Sequence, residues 1–402
     1  MIGAPNRATL RELYQAVTKG PLEPDDPAYT ELFPHDEHPL TRLQEELSLG
    51  LSDSTTLIWG SRGVGKTTGL RRLAQGLPEA CVMVLDLESM LPVDADPTAL
   101  DVKLGVAMAL GVALGESGAG PSEAEIHKLA AMFRHLGRKP AALGGRQAGT
   151  LVGDIERQVQ ALAGPWPYRH VETELDALLE SFQSHVRRDL GKDDLVVVLE
   201  GLDHQSAAAC ETLLLKQAGH LVVPRVHLVL TLPPSAGLYV HQAAMQVASA
   251  RVVCWPNCIV SSIPGLGALS TLDELVSRRG DWRRLLGYKA SNDLIKLSGG
   301  NPRELLQLVA EVCRGSLRRQ EPDDLVRRAK LARQQQLLGI LTAEAGNVLR
   351  HLQEGHALGS LAAEHLPILA RLLDLNLVLP YEQAGEVTFD VLPSIPVIVF
   401  KE

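Results

Sequence analysis

One stretch limits what this chain can fold into more than any other: Thr56-Leu-Ile-Trp-Gly60-Ser-Arg-Gly63-Val-Gly65-Lys66-Thr67-Thr68. It fits the pattern G-x-x-x-x-G-K-[ST] of a loop that cradles phosphates. Gly60, Gly63 and Gly65 let the backbone curl with its N–H groups inward and no Cβ in the way. The peptide groups of Ser61, Arg62, Val64 and Thr68 belong to the same cradle. A helix opening near Lys66 turns its positive end toward the phosphates. Lys66 is expected to reach the β- and γ-phosphates, and Thr67 to take a place on Mg²⁺. The setting agrees. Leu57-Ile-Trp59 reads as a buried strand before the loop, and Leu70 to Leu77 has helical spacing after it.

A second run is as informative. Asp194-Leu-Val-Val-Val-Leu-Glu200-Gly-Leu-Asp203 begins with five apolar residues after its first acid, which marks a strand buried on both faces. It ends in acids at its carboxyl edge, where ligands bind in open α/β sheets. Glu200 is assigned to the magnesium shell and Asp203 to the attacking water, with the roles open to exchange. Capping of the next helix is the structural alternative for Asp203. Cys81–Asp86, Arg225–Thr231 and Ala250–Trp255 add further strand-like runs. Strands alternating with helices predict a doubly wound parallel sheet.

The remaining chain divides by pattern. Residues 1–50 read as a helical lead-in. Residues 51–263 read as the α/β core, with a mostly helical insertion over about 97–190. Residues 264–335 read as a helical lid and a basic connector. Residues 336–402 show helix, short helix, helix and two short strands, the order of a winged helix. Gly137–Gly149 reads as a mobile, positively charged loop. The longest apolar stretch, Leu104–Leu114, is too short to span a bilayer and is expected to be a buried helix.

Composition sets the class. The 402 residues carry 45% hydrophobic and 22% charged side chains and a net charge of −9, the profile of a soluble protein that is not a general nucleic-acid binder. The amino terminus lacks the apolar core of a signal peptide. Five scattered cysteines fit a reducing, cytoplasmic setting. Cys254 and Cys258 lack the second ligand pair that a zinc site needs.

Gly60–Leu73, Val198–Asp203 and Gly299-Gly-Asn-Pro-Arg-Glu-Leu305 together resemble the bacterial ATPases of the AAA+ and STAND groups, and the origin-recognition-like ATPases that carry a winged helix. The likeness covers about residues 30–395. It implies ATP as the nucleotide, Thr231 as a polar sensor on the fourth strand, and Arg303 as a lid residue facing the γ-phosphate. The chain departs from these families at Glu200, where they have Asp. The carboxylate then moves by about 1.5 Å, one C–C bond, so hydrolysis should be slow. Arg278, Arg279, Arg283 and Arg284 around Trp282 read first as solvated helix faces; the alternative is a finger that reaches a neighbour's nucleotide, which would bring ATP-promoted self-association.

Three functions follow as expectations. The first is an ATP-dependent switch or assembly factor that reports to a protein partner through the winged-helix end or the insertion. The second is a nucleic-acid loader, or a transposition or defence-type ATPase on DNA. The third, a small-molecule kinase, fits a chain of this length poorly. Charge separates the first two. Residues 337–402 hold three basic and eight acidic residues, a net of −5, and the helix Pro367–Asn376 offers only Arg371 to a phosphate. Leu369, Leu372 and Leu373 are expected in the core of this end, which should turn duplex DNA away.

Overall fold

The structure is a computed structural model. It describes residues 7–34, 37–49, 53–92, 95–118, 120–140, 146–162, 170–247, 249–260, 268–316, 321–338, 341–354, 361–383 and 385–395. The strands are β1 (Thr55–Trp59), β2 (Ala80–Asp86), β3 (Asp194–Glu200), β4 (His227–Leu232), β5 (Ala250–Cys254), β6 (Val378–Gln383) and β7 (Glu386–Val391). The helices before β3 are α1 (Arg7–Val17), α2 (Pro39–Ser48), α3 (Lys66–Arg71), α4 (Ala99–Glu116), α5 (Glu123–Leu136), α6 (Arg146–Ala161) and α7 (Val171–Leu190). After β3 come α8 (Ala207–Glu211), α9 (Val240–Gln246), α10 (Ala268–Ser277), α11 (Trp282–Leu297), α12 (Pro302–Ser316), α13 (Pro322–Leu338), α14 (Ala343–Gln353) and α15 (Leu366–Asp374).

Two compact units share the chain. One comprises residues 40–59 and 70–253, and the other residues 1–39, 60–69 and 254–402. The first holds the sheet, a parallel five-stranded α/β sheet of order β2-β3-β4-β1-β5, as in P-loop proteins. The apolar runs explain it: every residue of β1 and β4 is buried, and all of β3 after Asp194. Strands covered on both faces need no alternation.

The insertion is helical. Thr98 and Ser122 open α4 and α5 with reciprocal capping boxes to Asp101 and Glu125. The apolar stretch Leu104–Leu114 lies in α4 and is almost wholly buried. Two charges inside α4 are paired, as burial requires. Asp101 accepts from Arg138 at 2.6 and 2.9 Å, and Lys103 donates to Asp176 at 2.8 Å and Glu172 at 3.2 Å.

The reading of Gly137–Gly149 as one charged loop does not hold. Gly137 ends α5 in a left-handed conformation, φ 64°. Arg138 is consumed by Asp101, and α6 has begun by Arg146. Residues 141–145 lie outside the described residues. The helix expected to run to Leu77 is also shorter: α3 stops at Arg71, and the chain tightens into a 3₁₀ turn at Leu73–Gly76.

In the second unit, α1, α10, α11, α12 and α13 pack around Leu13, Leu272, Trp282, Leu294, Leu305 and Leu325. The chain then runs through α14 and α15 into the antiparallel hairpin β6–β7. Leu369, Leu372 and Leu373 are buried, as the spacing predicts. No helix among the described residues is long and apolar enough to cross a membrane.

A candidate nucleotide loop and a row of strand-tip polar groups

The chain leaves β1 at Trp59 and enters the glycine loop, where Gly60, Gly63 and Gly65 all have positive φ. Lys66 is 5% exposed and folds back, donating to Gly60 O at 2.8 Å and Ser61 O at 3.2 Å. Its ammonium is held in the loop before any ligand arrives.

Three asparagines grip the loop's apex. Asn376 uses both ends of its amide on one residue. Its Nδ2 donates to Arg62 O at 2.8 Å, and its Oδ1 accepts from Arg62 N–H at 3.1 Å. Asn301 Nδ2 donates to the same carbonyl at 3.1 Å and to Asn257 Oδ1 at 3.0 Å. Asn257 Nδ2 donates to Ser61 Oγ at 2.8 Å and to Pro380 O at 2.9 Å. Arg303 N–H donates to Gly63 O at 3.2 Å. That approach is close: a Cβ on Gly63 would lie 2.3 Å from Arg303 Cβ. The Arg303 side chain itself is exposed.

Local rules place the clamp. Asn376 has φ 55° and sits just past α15. Its N–H donates to Leu373 O and that of Leu377 to Leu372 O, the paired closure of a helix C-terminus. Asn tolerates the left-handed turn, which aims its amide away from the helix. Asn301 accepts from Glu304 N–H at 3.1 Å and so caps α12, next to Pro302. Sequence reasoning missed all three asparagines, although a helix-ending Asn followed by leucine was a readable signal for Asn376.

The strand tips form a separate group in the sheet unit. Asp86 of β2 is paired in register with Glu200 of β3. Leu199 is paired with Leu230 of β4, so the next residues, Glu200 and Thr231, are neighbours on the opposite face. Asp86, Glu200 and Thr231 therefore line one face across three adjacent strands. Glu200 is 7% exposed and Thr231 1%. The Thr231 hydroxyl has no hydrogen-bond partner, which is costly for a buried polar atom. A ligand oxygen or its water would satisfy it. Asp203 follows on a 3₁₀ turn, Leu202–His204, and does not cap α8; Ser206 does, accepting from Ala209 N–H at 3.1 Å.

Of the four finger candidates, three serve the fold. Arg278 pairs with Glu274 and donates to Tyr29 O at 2.7 Å. Arg279 donates to Leu275 O and Ala28 O, and burial holds its guanidinium below its ordinary pKa. Arg283 pairs with Asp273 at 2.5 Å and stacks 4.5 Å from the Tyr288 ring centre. Arg284 is exposed, with no side-chain partner among the described residues. Cys258 donates weakly to Leu32 O, and burial pushes its thiol to about 12.

No protein-family model matches the chain, and no curated protein is similar to it.

Proposed function

We propose that this protein is an ATP-binding, slowly hydrolysing switch that reports its nucleotide state to a protein partner. The observation that carries the reading is the double hydrogen bond between Asn376 and the Arg62 peptide. The loop suited to phosphates is tied, at its apex, to the segment that opens the C-terminal hairpin. Whatever reshapes the loop then acts on that hairpin.

In this reading the backbone of Gly60, Ser61, Arg62, Gly63, Val64, Gly65, Lys66, Thr67 and Thr68 carries the phosphates, with the Lys66 ammonium as counter-charge. Thr67 and Glu200 are the groups suited to hold Mg²⁺, which when bound draws charge from the phosphoryl oxygens. Two observations fit a nucleotide: the loop curls with positive φ at its glycines, and the buried Thr231 hydroxyl lacks a partner. Asp203 orients water, and Arg303 senses the γ-phosphate from the start of α12. The winged-helix-like end, residues 336–402, faces protein rather than DNA, because its surface is acidic.

Binding and clamp are linked, so each should stabilise the other. Asn376→Ala removes two hydrogen bonds to one peptide, roughly 1–2 kcal/mol. ATP affinity should fall about tenfold for each 1.4 kcal/mol lost. The loss should show as faster release of a fluorescent ATP analogue in stopped flow. Unchanged release would remove the clamp from the mechanism.

The DNA-loader reading is tested on the same protein. The full chain with ATP should give no salt-sensitive shift of duplex DNA at micromolar concentration; such a shift would favour the loader. For self-association, Arg284→Ala should change stability by no more than about 0.5 kcal/mol, as surface substitutions do. It should also flatten any rise of specific ATPase activity with protein concentration. A rise that survives the substitution excludes Arg284 as the finger.

A further inference from the structure

We propose that Asp86 is a further residue of the nucleotide site, orienting a water molecule in the hydration shell of the divalent cation that accompanies ATP. The inference rests on the nucleotide reading above and adds a third strand to it.

The argument begins with position. Asp86 ends β2, and its register partner on β3 is Glu200. Thr231 continues the same row on β4, buried and unpartnered. Two carboxylates and one unsatisfied hydroxyl thus share a face at the carboxyl edge of a parallel sheet, the edge where such sheets bind ligands.

The Asp86 carboxylate is fixed, and half of it is left over. Its Oδ1 accepts from Glu88 N–H at 3.1 Å. Its Oδ2 makes no hydrogen bond with the described residues. The backbone is held as well: Ser89 Oγ donates to Asp86 O at 2.7 Å, and Leu87 N–H donates to Glu200 O at 2.8 Å. His204 pairs with Glu88, which joins the exit turn of β3 to that of β2. The result is an acceptor oxygen with little freedom left to lose.

Gly201 shows how closely the carboxylate is seated. Its φ is 95°, and a Cβ there would lie 2.4 Å from Asp86 Oδ1. Any other residue at 201 would push Asp86 off the turn that links Glu200 to Asp203. Burial raises the Asp86 pKa, and the Glu88 and Asp203 charges raise it further, against the Glu88 N–H and His204.

A water-bridged role suits the donor set. No three His, Cys, Asp or Glu side chains cluster as a metal cage among the described residues. Mg²⁺ usually takes one or two carboxylates and keeps several waters. Asp86 at the next strand can then hold a water rather than the metal. Residues that orient the shell in this way typically change metal affinity by about 10- to 100-fold when replaced.

The test titrates Mg²⁺ against binding of a fluorescent ATP analogue, so it needs no turnover. Asp86→Asn should raise the Mg²⁺ concentration for half-maximal binding by about tenfold. Binding without Mg²⁺ and the thermal midpoint should stay as in the wild type. Glu79→Gln, on the exposed turn just before β2, should leave the Mg²⁺ dependence unchanged. An Asp86→Asn midpoint within twofold of wild type, with wild-type binding intact, would overturn the Asp86 role alone. Loss of Mg²⁺-free binding or of thermal stability in Asp86→Asn, or an equal shift in Glu79→Gln, would show that the effect is not specific to the Asp86 carboxylate and overturn it too. A wild type that binds no nucleotide would overturn the nucleotide reading itself.

Discussion

Lys66→Ala should reduce ATP affinity by at least about a hundredfold, a loss of roughly 2.8 kcal/mol or more. The Lys66 ammonium is 5% exposed and already bonded to Gly60 O and Ser61 O. Its geometry is therefore set before binding, and little side-chain entropy remains to be lost on contact with phosphate. A charge-assisted bond to phosphate is about twice as strong as a neutral one, and several phosphoryl oxygens would share this cation in the proposed complex. Ala removes the cation and leaves two loop carbonyls without their donor. Gly60 and Ser61 are buried, so losing that donor should also cost about 1–3 kcal/mol of stability. Calorimetry with ATP and Mg²⁺ measures the affinity, and thermal unfolding checks the fold. Wild-type affinity in Lys66→Ala would remove the loop from nucleotide binding altogether.

The loop and the sheet were legible in the sequence because their signals are local. β1, β3 and β4 are uninterrupted apolar runs, and the glycines of the loop fall where the backbone turns positive in φ. The clamp was not legible in the same way. Asn257, Asn301 and Asn376 come from three distant segments, and only the fold brings their amides to Ser61 and Arg62. Asp86 shows a similar limit. Its strand could be read as ending in an acid, but not as lying beside β3, because strand order is a property of the crossovers. The arginines around Trp282 show a further limit. A run of cations reads as a solvated helix face, yet Arg278, Arg279 and Arg283 bond to carboxylates and carbonyls of their own unit. Asp203 kept its place on the turn after β3, and α8 is capped by Ser206 instead.

Trp282→Ala should destabilise the unit built from α1 and α10–α13 by about 3–5 kcal/mol, the range for deleting a fully buried tryptophan. Trp282 is 0% exposed and packs with Leu13, Leu272, Leu286, Leu294 and Leu305. These residues come from α1, α10, α11 and α12, so the cavity opens where four helices meet and cannot close by moving one of them. Its indole Nε1 also donates to Asp273 Oδ1 at 3.0 Å. Asp273 keeps Arg283 after the substitution, which limits the electrostatic part of the loss. Trp282→Phe keeps one six-membered ring but loses the N–H and the rest of the indole, so it should cost less than Ala, about 1–3 kcal/mol. The cost has a functional side. Asn301 and Arg303 stand at the start of α12, whose Leu305 and Leu308 are held by this core. A loosened α12 frees the loop apex, so nucleotide affinity in Trp282→Ala should fall together with stability. Urea unfolding followed with and without ATP measures both. A Trp282→Ala protein within about 1 kcal/mol of wild type would show that the helices around α11 do not form one core.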